Sequence, residues 1–221
     1  SYPRELHRKA AGLGFVAVHL PEAYGGPGLG VFENALIVEA FCRQDSGLGV
    51  ALSVADFATE LILKFGSEEQ KKKYLPPIAR GDGLSAGAFT EPDHGSDITL
   101  LETRAVRDGD SFVINGTKTF ITNGTLCDYY VLLCQTDPSA NPTHRGQSML
   151  LVERGTPGVT AVDVGEKMGI KMTSTAEVSF ANVRVPASAL LGVEGRGFYQ
   201  TLEFFDESRV EVAAQALGIA Q

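Results

Sequence analysis

The spacing of apolar positions changes twice along the chain, and each change marks a change of element type. Up to residue 83 the spacing is helical. Pro3 to Leu13 reads as a helix with proline near its start and Gly14 at its end. A short extended piece, Phe15 to His19, leads into a glycine-rich loop from Pro21 to Gly30. That loop fits neither the GxGxxG fingerprint nor a Walker motif, so it is expected to pack between helices. Val31 to Arg43 carries Val31, Ala35, Val38 and Cys42 on one face. Phe32, Leu36 and Phe41 widen that face, which predicts a largely buried helix. Val50 to Phe65 reads as one further helix, with Val50, Val54, Phe57, Leu61 and Phe65 as its stripe and Gly66 as its cap. Ser67-Glu68-Glu69-Gln70 fits a capping box for a short helix that Pro76-Pro77 should end.

From residue 84 the apolar positions fall into short runs separated by turn residues. Leu84 to Phe89 is extended. Glu102 to Val106, the Asp108-Gly109 turn and Ser111 to Thr122 read as a hairpin. Tyr129 to Thr136, Gln147 to Glu153, Val159 to Val164 and Ala176 to Phe180 follow as strands, with a long polar loop from Pro138 to Gly146. Strands with no helices between them predict an antiparallel β-barrel or sandwich. Gly195 to Gln221 returns to helical spacing. The expected organisation is therefore a helical N-terminal domain (1–83), a β middle domain (84–194), and the first helix (195–221) of a truncated helical bundle. The truncation is read from a last segment of helical composition without a stop signal.

Composition narrows the function classes. The 221 residues carry a net charge of -8, and their one clear basic run, Lys71-Lys72-Lys73, follows Glu68-Glu69 as part of a solvated helix face. A nucleic-acid interface would need a basic stripe. Cys42, Cys127 and Cys134 are odd in number and lack CxxC spacing, which argues against a disulfide framework or structural metal and for a reducing compartment. The Asn115 and Asn123 glycosylation patterns matter only in a secreted chain. No apolar run reaches the length of a membrane span.

Two stretches carry candidate chemistry. In Gly87-Ala88-Phe89-Thr90-Glu91-Pro92-Asp93-His94-Gly95-Ser96-Asp97, an extended run breaks into a polar turn. Pro92 keeps Glu91 out of the helical region, and Gly95 is expected to take φ > 0 so that successive N–H groups face one concavity. With the hydroxyls of Thr90 and Ser96, such a loop suits a phosphate-bearing ligand; an ordinary turn is the alternative. His94, Ser96 and Asp97 are neighbours, unlike the convergent members of a catalytic triad. Glu91, Asp93, His94 and Asp97 lack a second His or a Cys at ligand spacing, so a metal site is not expected. In Lys118 to Gly124, Phe120 and Thr122 alternate onto one face. A flat heterocycle could stack on that ring and meet that hydroxyl, the alternative being a core aromatic beside a turn-capping threonine.

Taken in order, these stretches resemble the acyl-CoA dehydrogenase family. Leu20-Pro21-Glu22-Ala23-Tyr24-Gly25-Gly26 is similar to its early loop. Phe89-Thr90-Glu91-Pro92 with Gly95-Ser96-Asp97 is similar to its TEPxxGSD segment. Gly116 to Asn123 resembles its G-x-K-x-W-I-T-N segment. Lys167-Met168-Gly169, Val183 to Pro186 and Leu190 to Gly192 resemble the end of its β domain, and Asp206 to Arg209 with Ala213 to Gln221 its next helix. The resemblance spans essentially the whole chain.

The resemblance implies FAD as cofactor, held by Gly87, Ala88, Phe89, Thr90, Gly95, Ser96, Phe120, Ile121 and Thr122. Backbone groups near Phe89 and Thr90 would meet the pyrimidine edge, Thr122 would donate toward flavin N5, Phe120 would pack on the ring, and Gly95 and Ser96 would lie at the pyrophosphate. Ser96, Asp206, Ser208 and Arg209 would contact the acyl-CoA substrate; an i,i+3 ion pair is the plain reading of Asp206 and Arg209. The implied reaction is α,β-dehydrogenation, a carboxylate taking the α proton while the β hydrogen leaves as hydride to flavin. The family's usual base lies beyond the position of Gln221. In some members it precedes the arginine matched by Arg209, where this chain has Ser208, with Glu207 about 100° away round the helix. No catalytic base is therefore expected within these residues, and this chain by itself is expected to be inactive. The family usually has Trp at the position of Phe120, a departure that bears on flavin potential and on the acceptor, ordinarily electron-transfer flavoprotein. The family further implies a tetramer or dimer, sited in the cytoplasm of a prokaryote or the mitochondrial matrix of a eukaryote. An oxygen-using oxidase or monooxygenase on the same fold and a non-catalytic CoA- or partner-binding module are the rival functions.

Overall fold

The computed structural model describes all residues, Ser1–Gln221. The chain forms two compact units. Ser1–Ser85, Gly165–Ser174 and Glu203–Gln221 make a helical unit; Ala86–Val164 and Thr175–Leu202 make a β unit.

Six helices run in chain order: α1 (Arg4–Gly12), α2 (Val31–Gln44), α3 (Ser46–Ser53), α4 (Thr59–Phe65), α5 (Glu68–Ala79) and α6 (Gly197–Ala220). The helical unit contains α1 to α5 and α6 from Glu203 onward. Val38 and Cys42 of α2 pack with Val50 of α3 and Ala214 of α6, flanked by Ala35 and Val54. Close approach is built in by glycine: a Cβ on Gly49 would lie 2.7 Å from the Cys42 nitrogen, and one on Gly218 would lie 2.3 Å from the Glu39 carbonyl oxygen. The α5 capping box forms as expected, with Ser67 Oγ accepting from the Gln70 N–H and Gln70 Oε1 accepting from the Ser67 N–H.

Four local expectations need correction. Phe15 to His19 is not a strand; it turns through Ala17 at φ 52. The helix expected over Val50 to Phe65 is broken, because Ala58 sits at φ 74 between α3 and α4. Ser85 stabilises that break by donating its N–H to the Ala55 carbonyl and its hydroxyl to the Phe57 carbonyl. Helix α5 runs through Pro76 and Pro77 to Ala79. Near a helix end two prolines remove few internal bonds, and the Pro76 and Pro77 carbonyls still accept from Arg80, Asp82 and Gly83. Finally, α2 buries only Val38 and Cys42, leaving Phe32 (71%) and Leu36 (52%) exposed.

The β unit is a seven-stranded sheet of strands β1 (Ser85–Ala88), β2 (Arg104–Asp108), β3 (Ser111–Thr122), β4 (Tyr129–Gln135), β5 (Gln147–Glu153), β6 (Val159–Asp163) and β7 (Thr175–Pro186). The path is β1-β4-β2-β3-β7-β6, with β5 paired to β4. The β2–β3, β3–β7, β4–β5 and β6–β7 ladders are antiparallel, whereas β2 meets β4 in parallel at Arg104 and Gln135. β4 is buried along its whole length, as its unbroken apolar run requires. β3 and β7 slip register twice. One slip places an extra residue on β3 between Lys118 and Ile121, at the candidate ring of Phe120.

Candidate functional site

The two sequence stretches meet in the β unit. The Thr119 N–H donates to the Thr90 carbonyl at 2.9 Å, so the loop after β1 is stitched to the end of β3. Beneath that link lies a buried ion pair absent from the sequence expectations. Lys118 Nζ donates to Glu91 Oε1 at 2.9 Å and to the Phe89 carbonyl at 2.9 Å. The Lys118 side chain is fully buried and that of Glu91 is 2% exposed. Glu91 also accepts the N–H groups of Glu102 (2.6 Å) and Thr103 (3.0 Å). Desolvation opposes the ionised carboxylate, yet Lys118 and these donors outweigh it and hold its pKa below the ordinary value. Desolvation shifts Lys118 downward against the pull of Glu91. Glu91 thus ties three chain segments together and leaves its neighbours free to face a ligand.

The loop differs from its sequence reading in one respect. Gly95 does not adopt positive φ. Instead Glu91 and His94 close a turn with reciprocal backbone bonds, and Asp97 Oδ1 caps the next one through Thr99. A Cβ on Gly95 would have nothing within 4 Å, so no contact within the chain requires glycine at this open loop position. Gly95 and Ser96 are exposed, and their backbone N–H groups donate to no protein acceptor. Such a surface can accept an anionic group through main-chain donors.

At the end of β3 the extra residue puts Phe120 at φ 56 with its side chain outward, 67% exposed. Ile121 points the other way and is 2% exposed. Thr122 is half-buried and pairs with Thr175 across the ladder, while its hydroxyl bonds to no protein group. Just beyond, Asn123 at φ 61 begins a turn locked by the Tyr130 hydroxyl, which donates to the Gly124 carbonyl at 2.6 Å. The alternation of Phe120 and Thr122 therefore holds, and it is carried on a rigid bulge. An outward aromatic ring, an unengaged hydroxyl on the same face and free N–H donors in the adjoining loop form a wall suited to a flat heterocycle bearing phosphate. The residues fit FAD on these grounds.

Two family models match the chain in succession: the acyl-CoA dehydrogenase N-terminal domain over residues 1–82 and the acyl-CoA dehydrogenase middle domain over residues 86–183. The chain belongs to the acyl-CoA dehydrogenase family. An acyl-CoA dehydrogenase of Bacillus subtilis is 40% identical over 221 residues, covering 100% of this chain and 58% of the relative. The acryloyl-CoA reductase (NADH) of Anaerotignum propionicum is 39% identical, covering 100% of this chain and 56% of the relative. Among solved structures, a glutaryl-CoA dehydrogenase from Mycobacterium smegmatis in complex with FADH2 superposes with a TM-score of 0.88 at 36% identity, over 98% of this chain and 54% of that one. The chain thus spans a little over half the length of these acyl-CoA dehydrogenase relatives.

The remaining candidates lie on α6 in the helical unit. Asp206 and Arg209 form an i,i+3 pair at 3.6 Å with side chains 78% and 70% exposed. At that exposure the pair adds little stability, and both groups remain available to a ligand. Ser208 is half-buried and lines a cleft with His19, Asn34, Glu60, Glu207 and Glu211. Sequence reasoning missed this cleft because its walls come from the loop before α2, from α2 and α4, and from α6. Glu207 does border it together with Ser208, since consecutive helical positions can flank one wide groove.

The cleft is electrostatically unusual. Burial raises Asp56 to about 6 and Glu60 to about 7. Glu211 is raised well above the ordinary carboxylate range, first by burial and then by the nearby Asp56 and Glu60. Groups whose folded pKa is raised contribute stability that is complete below the ordinary values of 3.8 and 4.5 and is lost as pH rises through about 6 to 7. Glu60→Gln should therefore leave stability unchanged in acid and raise it by about 1–3 kcal/mol at neutral to mildly alkaline pH. Denaturant melts across that pH window check this; a variant no more stable than wild type above neutrality would contradict it.

Proposed function

We propose that the complete protein carrying this chain is an FAD-dependent acyl-CoA dehydrogenase that converts a saturated acyl-CoA thioester to its 2-enoyl-CoA. The observation that carries the reading is the joined wall of Thr90, Ser96, Phe120 and Thr122 in a chain of this family. FAD, when bound, supplies the acceptor for the hydride lost from the β carbon. Backbone groups at Gly87 to Thr90 would hold its pyrimidine edge, Gly95 and Ser96 its pyrophosphate, and Phe120 would cover the ring, with Ile121, its side chain turned into the core, offering only its backbone. The Thr122 hydroxyl donates at the position where negative charge develops, and the strand bulge fixes it before the substrate arrives. Ser96, Asp206, Ser208 and Arg209 would engage the thioester and its pantetheine arm. The α-proton acceptor is supplied from outside these residues, since Ser208 is no base. Electron-transfer flavoprotein is the proposed acceptor and a homo-oligomer the proposed assembly.

The relative named acryloyl-CoA reductase (NADH) makes the reductive direction the second reading. Turnover of saturated acyl-CoA thioesters with an artificial electron acceptor, followed by mass detection of the enoyl product, separates the two. We expect enoyl-CoA to form only when the acceptor is present. Peroxide accumulating in air without it would replace the dehydrogenase reading with an oxidase. Consumption of enoyl-CoA with NADH and no oxidation of saturated thioesters would replace it with a reductase.

A further inference from the structure

The Phe89–Thr90 peptide links the buried ion pair to the candidate flavin wall, and every residue concerned lies within the β unit. Its carbonyl accepts from Lys118 Nζ at 2.9 Å. Its N–H, carried by the half-buried Thr90, donates to no protein acceptor. The peptide is trans, so the carbonyl and the N–H point in opposite directions. The Lys118 side chain is fully buried and holds the carbonyl toward the interior, which turns the N–H the other way. The following peptide is held as well, since the Thr119 N–H donates to the Thr90 carbonyl at 2.9 Å. The direction of the free Thr90 donor is thus set on both sides before any ligand arrives.

Stability alone does not account for a charge at this position. A buried ion pair commonly stabilises no more than apolar residues of the same volume. A neutral donor would also anchor the carbonyl. What the ammonium adds is polarisation. The ionised Glu91 at 2.9 Å keeps Lys118 charged. The negative charge of Glu91 is itself shared with the N–H groups of Glu102 and Thr103, and the Phe89 carbonyl meets the positive member of the pair. A peptide whose oxygen accepts a charge-assisted bond becomes a stronger donor at its nitrogen.

We infer that Lys118 is a positioning residue that strengthens the Thr90 N–H as a donor to the flavin and so raises the flavin's reduction potential. The inference rests on the reading of this wall as an FAD site, in which backbone groups at Phe89 and Thr90 meet the pyrimidine edge. A flavin that accepts a hydride gains one negative charge, which settles at that end. A donor fixed there stabilises the reduced form more than the oxidised one. Lys118, buried under the loop, acts through the peptide.

The test is the reduction potential of the complete, FAD-loaded protein, measured by equilibration with reference dyes. Wild type is compared with Lys118→Met and with the double variant Lys118→Met, Glu91→Gln. The double variant leaves no buried charge unpaired, so it carries the test where the single variant folds poorly. In both variants we expect reduced FAD to lose about tenfold more affinity than oxidised FAD, which lowers the potential by about 30 mV. An unchanged potential with equally weakened affinity for both forms would make Lys118 a structural prop and overturn the inference, leaving the flavin site intact. A potential that rises would overturn it as well. Wild-type protein that takes up no FAD would overturn the flavin site and the inference together.

Discussion

Replacing Lys118 with methionine is expected to destabilise the β unit by about 3–5 kcal/mol. The change removes the counter-charge of a carboxylate that is itself buried, and leaves Glu91 ionised with only two backbone donors or protonated at a cost. Glu91→Gln should also destabilise, by less, because the amide oxygen can still accept from one of those N–H groups. The double variant should cost less than the sum of the two, since both act on one interaction. Denaturant melts followed through the β unit measure all three. The pH dependence has a defined sign. The folded pKa of Glu91 is lowered, so its contribution is present above 4.5 and is lost as pH falls through the folded value. Lys118→Met with wild-type stability would show that the pair does not organise the loop.

Thr122→Val is the other large effect, and it falls on rate. The substitution keeps the shape and the β-branch that suit a strand end, and it breaks no bond within the protein because the hydroxyl has none. A donor used as charge develops is worth on the order of 10²-fold in rate. Flavin reduction by a saturated acyl-CoA should therefore slow by about that factor, with a much smaller change in the concentration needed for half-saturation. Rapid-mixing measurements separate the two quantities. Unchanged reduction with weakened binding would make Thr122 a structural residue.

Much of the architecture was legible because it rests on periodicity. The unbroken apolar run of β4 and the Ser67 capping box each state a local preference that the fold keeps, and the hairpin expected at Asp108-Gly109 forms one residue on, with Asp108 paired to Ser111 and Gly109-Asp110 as its loop. What was not legible depends on partners distant in sequence. Ala58 turns left-handed because Ser85 satisfies the carbonyls freed by the break, and no property of Ala58 announces it. Phe32 and Leu36 have the composition of a buried face and lie exposed, since burial is decided by what packs opposite. The same division holds at the site. Thr90, Phe120 and Thr122 could be named from motif and alternation. The Lys118–Glu91 pair and the Glu60–Glu211 cleft join segments far apart in the chain and only a folded structure brings them together. At Gly95 residue type suggests a positive φ that the loop does not use, and the open space around the position shows no contact within the chain that demands glycine.

The most direct test of the central claim is the absorption spectrum of the complete protein, purified and then mixed anaerobically with a panel of saturated acyl-CoA thioesters. The account predicts bound oxidised FAD in near-stoichiometric amount, bleached by at least one thioester. Colourless protein that takes up no FAD when supplied with it would contradict the account.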